Sequence, residues 1–410
     1  MSDRRAIRAA VIFDNFGPYH LARLGACARL VHVTAIQVCG KSADYAWTNE
    51  IPDTHYEVVT LFPAGTSREV QEGDLQRCME EALERCQPAA VFIPGWSGKA
   101  AFFALSWCIR RGVPAIPMSE STEWDEPRKS WKEWVKRRLV GMCSAAFAGG
   151  HPHADYMVKL GMPAERVFQG YDAVDNDYFA TQVKQARLQD AARRAEYQLP
   201  ENYFLASARF IEKKNLPRLM EAYSRYRKRA ESLNADAGKG KIWDLVLLGD
   251  GSLRQSLEDQ IQSLNLSAHV HMPGFKQYPD LPTYYGCAQI FIHASTTEQW
   301  GLVVNEAMAS GLPVLVSNRC GCAQDLVQEG LNGFTFDPLD IDEMSQRMAE
   351  ISVLEGGLPA MGAASQRIIA EWGPERFASG LKEATEKAME VGAIKATLIQ
   401  RLLLKSLLLR

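Results

Sequence analysis

The chain has 410 residues, 47% of them hydrophobic and 23% charged, with a formal net charge of −3 at pH 7. That length suits two domains rather than one, with apolar material for two cores. The near-balanced charge excludes the basic field of a nucleic-acid binder, and no apolar run reaches the roughly 18 residues of a spanning helix.

The first residues carry no apolar signal-peptide core before the first strand. Short apolar runs follow at residues 9–13, 31–38, 56–62, 89–93, 113–116 and 145–148, separated by helical patterns at 20–30, 74–86 and 100–111. This alternation predicts βαβ units on a parallel sheet. Behind the first strand, Asp14-Asn-Phe-Gly17-Pro18-Tyr19-His20 opens a helix near Tyr19. Gly17 lets backbone come close to a phosphate or sugar, and His20 either faces the ligand or caps its own helix. After the fifth strand comes Ser119-Glu120-Ser121-Thr122, where Glu120 is either a reactive acid or a helix-capping one.

Residues 123–140 interleave Trp124, Trp131 and Trp134 with Arg and Lys, and the tail 398–410 is also basic and apolar. As helices, both suit an anionic lipid surface; the alternative for the tail is packing on the first domain, and for the Trp/Arg stretch an acceptor-cleft or surface helix. The nine cysteines have no framework spacing, which predicts reduced thiols and a cytoplasmic location. Cys320 and Cys322 are too few to hold zinc, so no structural metal is expected. Residues 182–196 are polar and helical in character and stop at Pro200; the domain boundary is placed there.

Strands resume at 203–206, 245–248, 269–272, 289–293 and 313–317. The first is followed by Ser207-Ala-Arg209-Phe-Ile-Glu-Lys213-Lys214-Asn215, cations able to offset a nucleotide diphosphate. The second ends in Gly249-Asp-Gly251, a common turn. The densest information lies in Glu298-Gln-Trp-Gly301-Leu-Val-Val-Asn-Glu306-Ala-Met-Ala-Ser-Gly311-Leu-Pro313. Gly301 enters a helix, Gly311 caps it and Pro313 forbids continuation. The N–H groups of Leu302 and Val303 then offer an anion site. Two carboxylates beside bound phosphate are repulsive unless they accept from hydroxyls, so Glu298 and Glu306 read as holders of sugar or ribose hydroxyls. An ordinary αβ unit with one surface acid and one partly buried acid is the bland alternative. No Gly-x-Gly-x-x-Gly or Walker loop follows a strand, which disfavours dinucleotide binding and P-loop chemistry.

These segments, with Gly274-Phe275, Asn332-Gly-Phe334 and Asp337-Pro338, resemble the retaining glycosyltransferases of family 4, the GT-B fold. The resemblance implies an α/β architecture of two doubly wound Rossmann-like domains facing across a cleft. It implies an acceptor-side domain at 1–190 and a nucleotide-sugar domain at 191–374. Trp372-Gly-Pro-Glu-Arg-Phe377 resembles the crossing-back segment, so helices at about 375–410 are expected on the first domain. By the same resemblance Arg209 and Lys214 hold the donor diphosphate, and Glu306 binds ribose. Glu298 contacts sugar hydroxyls, Leu302 and Val303 meet phosphate, the 274–276 turn and Gly249 lie near the donor, and Gly17 belongs to the glycine loop. Many members carry a histidine after the strand that here reads Ala115-Ile-Pro-Met118; this chain has none there, which turns attention to Glu120 and then His20. The Asp-x-Asp spelling at Asp175 and Asp177 matches the family's exit turn rather than a manganese site.

The implied activity is transfer of a hexosyl or N-acetylhexosaminyl group from a nucleotide sugar, UDP-linked, to a hydroxyl acceptor, without cofactor or metal. The acceptor class is a lipid-linked, polysaccharide or glycoconjugate intermediate, with peripheral contact at the inner membrane face. A GT-B sugar-nucleotide 2-epimerase and a non-catalytic sugar-nucleotide scaffold are the alternatives.

Overall fold

The computed structural model describes residues 7–41, 54–66, 68–237, 242–354 and 356–409, with backbone alone at 233–237. The expectations for the first six residues and for Arg410 lie outside that range.

The chain divides into two units, Met1–Asp175 with Trp372–Arg410, and Asn176–Glu371. The first holds a seven-stranded parallel sheet in the order β3-β2-β1-β4-β5-β6-β7. Its strands are β1 (Arg8–Phe13), β2 (His32–Cys39), β3 (Glu57–Phe62), β4 (Ala90–Pro94), β5 (Ala115–Ser119), β6 (Ala146–Ala148) and β7 (Val167–Gln169). The second holds a six-stranded sheet in the order β10-β9-β8-β11-β12-β13. Its strands are β8 (Tyr203–Ser207), β9 (Asp244–Leu248), β10 (Val270–Gly274), β11 (Ile290–His293), β12 (Val314–Ser317) and β13 (Gly333–Phe336). Strands covered by helices on both faces read as near-continuous apolar runs, as β1 does after Arg8, β8 up to Ser207 and β11 up to His293. In each sheet the order reverses at one place, between β1 and β4 and between β8 and β11, where the crevice for a ligand opens.

Two strands escaped the sequence reading. β7 and β13 are edge strands of three and four residues, half-buried, so neither has a sustained apolar run.

The expected boundary near residue 190 falls inside the second unit. The helix Asn176–Leu188 carries Phe179, Val183 and Ala186 as a buried stripe at helical spacing. Ala186 Cβ lies only 3.2 Å from where a Cβ on Gly286 would stand. Arg187 donates to the carbonyls of Gly286 (3.1 Å) and Ser310 (2.9 Å), joining this helix to two others of the second unit. The polar residues 182–196 read as a linker are the outer face of that helix and most of the next, Asp190–Tyr197, none of whose residues is buried.

The helix Pro374–Val391 buries Phe377, Ala378, Leu381, Ala384 and Ala388 within a core cluster of the first unit. At Gly380 a Cβ would stand 2.6 Å from the Gln169 carbonyl and 2.8 Å from the Phe147 ring, so only hydrogen fits. The last helix, Leu398–Leu408, inserts Leu404 into the other cluster of that unit.

Candidate active site

In the second unit the loops behind β8, β9 and β10 are bonded to one another. Ala208 donates to Leu248 (3.0 Å), Phe210 to Asp250 (2.8 Å) and Gly249 to Gly274 (3.1 Å), all through backbone. Gly249 has φ +127°, and a Cβ there would lie 1.9 Å from the Ala208 carbonyl oxygen. Its glycine is therefore demanded by backbone packing beside Arg209. Phe275, next to Gly274 (φ +86°), is 39% exposed.

The 3-10 turn Glu212–Lys214 follows, closed by Asn215 at φ +59°. Asn215 is buried, and its amide donates to the carbonyls of Ala294 (3.0 Å) and Pro338 (2.7 Å). Thr296 donates to the Lys213 carbonyl through its amide (2.9 Å) and hydroxyl (3.3 Å). These bonds clamp the loop behind β8 to the loop behind β11. They bring together residues that lie 84 apart in the chain: Lys214 donates directly to the Glu298 carboxylate.

Glu298 also receives the Ser295 hydroxyl (3.3 Å), with His293 Nε2 at 3.4 Å and Lys213 Nζ at 3.6 Å. Its side chain is only 11% exposed and that of Lys214 12%. Burial alone would raise the Glu298 carboxyl, but the His293 hydrogen bond and the Lys214 charge outweigh it and hold it well below the usual carboxylate range. His293 moves the other way from a free histidine: burial, helped by Lys214, pushes its pKa down against the pull of Glu298. Sequence reading missed His293, Ser295 and Lys213 as partners of Glu298. A polar residue ending an apolar strand, as His293 does, was the available signal.

The helix Leu302–Ala309 begins at Gly301, whose φ of +107° favours glycine. Leu302 and Val303 are its first residues, so their N–H groups precede any acceptor inside the helix. Trp300 is anchored beneath, its indole donating to Asn305 at 2.8 Å. Glu306, 1% exposed, accepts the Tyr285 hydroxyl at 2.5 Å. Tyr285 is a second partner that sequence reading did not find.

In the first unit Gly17 donates its amide to His20 Nδ1 at 3.0 Å, so His20 caps the helix Pro18–Cys27 that carries it. Its ring meets Phe13 edge-on at 4.4 Å. Burial and the nearby Arg23 charge push its pKa down to about 3. Between the two readings of His20, geometry takes the cap.

Glu120, behind β5, is half-buried and hydrogen-bonds Asp172, behind β7. Asp172 is fully buried, and Arg23 Nη2 stands 3.8 Å from its carboxylate. Arg23 Nε donates to the Ala173 carbonyl (2.7 Å), and its guanidinium lies over Tyr171 (5.3 Å) and Phe377 (5.8 Å). Burial first, then the Glu120 charge, raise the Asp172 carboxyl well above the usual range, against Arg23. Burial and the Glu120 charge therefore both favour the protonated form of Asp172. Neither Arg23 nor Asp172 was singled out by sequence, because a charge inside an apolar pattern looks like noise until its partner is placed.

Arg23→Met should cost about 1–3 kcal/mol, the usual penalty for stranding buried acceptors. The cost is cushioned because Asp172 can hold a proton. A raised carboxyl stabilises below its unfolded value and loses that contribution as pH rises through the folded one. The urea midpoint of Arg23→Met should thus fall further behind the parent at pH 8 than at pH 5; equal gaps would contradict a raised Asp172 carboxyl.

Asp175 ends the first unit, and Asp177 lies in the first turn of the helix Asn176–Leu188, where a carboxylate suits the N-terminal dipole. Among the described residues no group of three or more His, Cys, Asp or Glu side chains could hold a metal.

Residues 189–364 match the family model described as glycosyl transferases group 1. That match lies almost wholly in the second unit, Asn176–Glu371. This glycosyltransferase is 27% identical over 305 residues to the GDP-mannose-dependent alpha-(1-6)-phosphatidylinositol monomannoside mannosyltransferase of Mycobacterium tuberculosis, covering 70% of this chain and 74% of that one. It is 27% identical over 285 residues to the alpha-D-kanosaminyltransferase of Streptomyces kanamyceticus, covering 62% and 68%. Among solved structures, Anabaena HepE in complex with UDP and glucose superposes with a TM-score of 0.69 at 17% identity, covering 92% and 98%. WaaG, a glycosyltransferase involved in lipopolysaccharide biosynthesis, gives 0.64 at 14%, covering 91% and 98%. The fold of the glycosyltransferase is GT-B, two parallel-sheet Rossmann-like domains.

Proposed function

We propose that the enzyme moves a hexosyl or N-acetylhexosaminyl group from a UDP-sugar to a hydroxyl of a lipid-linked or polysaccharide intermediate, with retention of configuration. The observation that carries this reading is the buried Glu298 carboxylate, kept ionised by Lys214, Lys213 and His293 where β8 and β11 end.

The C1–O bond to the diphosphate breaks as the acceptor oxygen approaches from the same face. Arg209, Lys214 and the Leu302 and Val303 amides take up the charge developing on the leaving diphosphate, a stabilisation greatest in the transition state. Lys214 has three N–H donors, so its bond to Glu298 leaves others for phosphate. The acceptor proton passes to the departing phosphate oxygen, and no side-chain base is required. Glu306, oriented by Tyr285, holds ribose; Gly249 and the Gly274-Phe275 turn lie towards the base. In the first unit, Gly17 is the residue whose backbone suits a phosphate or sugar, and Glu120 the one that takes an acceptor hydroxyl. The cations at the β8 end make the transfer independent of metal and of any other cofactor.

Uracil is favoured by HepE, whose complex holds UDP, while the mycobacterial relative uses GDP-mannose. Its phosphatidylinositol monomannoside acceptor favours a lipid-linked hydroxyl and peripheral contact with the membrane. Calorimetric titration with UDP, GDP and ADP, with and without manganese, tests the donor. UDP is expected to bind selectively, and Glu306→Gln to weaken it about ten-fold through one charged hydrogen bond. Selective GDP binding would reassign the base, and binding of none would overturn the site. Conversion of a UDP-sugar to its 2-epimer without acceptor would establish the isomerase instead.

A further inference from the structure

Two stretches joined by residues 262 apart in the sequence lie side by side on the first unit. The Gln400 amide donates to the Arg138 carbonyl at 3.1 Å, joining the end of the helix Ser130–Val140 to the start of the helix Leu398–Leu408. The second helix buries Gln400 and Leu404 inward. Its other face is apolar and open: Leu398 is 72% exposed, Ile399 55% and Leu402 58%, with Trp131 (59%) and Trp134 (44%) on the neighbouring helix. Amphipathic helices in a soluble domain normally turn such residues inward.

Charge distinguishes what can cover this face. The helix Leu398–Leu408 contains no acidic residue. Arg137, Arg401 and Lys405 are exposed and have no carboxylate partner among the described residues. Arg138 lies over the Trp134 ring at 5.3 Å. The acids on and just before the first helix are already paired: Glu133 meets Lys136 and Tyr156, and Glu126 meets Lys132 and Lys136. A chain of net charge −3 thus presents one apolar face flanked by the cations Arg137, Arg138, Arg401 and Lys405. Eleven helical residues rise about 16 Å, roughly half a hydrocarbon core, so this helix lies along a membrane rather than across it.

We infer that the face formed by the helices Ser130–Val140 and Leu398–Leu408 docks on an anionic lipid bilayer, with Trp131, Trp134, Ile399 and Leu402 at the headgroup boundary and the cations on lipid phosphates. The inference rests on the reading of a lipid-linked acceptor for its purpose, and names the surface that would deliver it.

The full chain is sedimented with vesicles of phosphatidylcholine plus phosphatidylglycerol, and with phosphatidylcholine alone, in the absence of donor. Binding to the anionic vesicles is expected, weakened roughly five-fold for each of Arg137→Ser, Arg401→Ser and Lys405→Ser. It should be abolished in the double variant Ile399→Ser, Leu402→Ser. Both side chains are exposed, so the unfolding midpoint and UDP affinity of that variant should match the parent, showing that fold and donor site survive. Absence of vesicle binding, or binding indifferent to these changes, overturns the inference. So does a concentration-dependent dimer that the double variant dissolves, which would make a second copy the occupant. Transfer to a water-soluble acceptor without vesicles tests the chemistry separately, so the surface and the reaction fail independently.

Discussion

Arg209→Ala with Lys214→Ala should lose UDP binding and turnover together. Each side chain provides positive charge at the end of β8, in a place where water is scarce: the Lys214 side chain is 12% exposed. Removing one electrostatic donor to a developing charge typically lowers kcat by about 100- to 1000-fold. The pair should therefore approach the background rate. Lys213→Ala is the control, since its side chain is 34% exposed and 3.6 Å from Glu298; its effect should be several-fold smaller. Steady-state kinetics on the matched UDP-sugar, with calorimetry on UDP, decides. Normal turnover in the double variant would sink the assignment of this loop to the diphosphate.

Glu298→Gln should unfold earlier as well as turn over slowly. The amide keeps the shape but removes the charge that Lys214, Lys213 and His293 surround. Breaking a buried ion pair by neutralising one partner costs about 3–5 kcal/mol, because the other charge is left without compensation. The pH dependence has a definite sign. The Glu298 carboxyl lies below its unfolded value of about 4.3, so its contribution is complete above that pH and lost as pH falls through the folded value. The stability gap between parent and Glu298→Gln should accordingly be steady from pH 8 to pH 6 and narrow below about pH 4. Urea denaturation at those pH values checks it. A gap that persists unchanged in acid would mean that Glu298 is not held by its cations.

Much of this was legible in one dimension. Strands buried on both faces read as near-continuous apolar runs, and helices between them repeat at 3.6 residues, so β1, β8 and β11, each apolar but for one end residue, stand out from local pattern alone. Gly301, Gly311 and Pro313 mark the ends of the helix that carries Glu306, because positive φ and a missing N–H are properties of single residues. The short edge strands β7 and β13 have no such pattern, being half-buried and paired on one side only.

What required tertiary structure was the company each charge keeps. Composition and spacing showed that Glu298 and Lys214 stand at strand ends, not that His293, Ser295 and Lys213 converge on the same carboxylate. His20 was a candidate ligand until the Gly17 amide pointed at its Nδ1. Arg23 and Asp172 stayed invisible until the β1 and β7 ends brought them within 3.8 Å. The polar stretch around residue 190 looked like a linker until Phe179, Val183 and Ala186 were seen to be buried in the second unit. Local pattern is set by what each residue needs from its immediate backbone and from water, and the sequence by itself determined the strands other than β7 and β13 and the ends of the helix that carries Glu306. Burial and charge pairing depend on which distant segments the sheet order makes neighbours, and that only the folded chain decided.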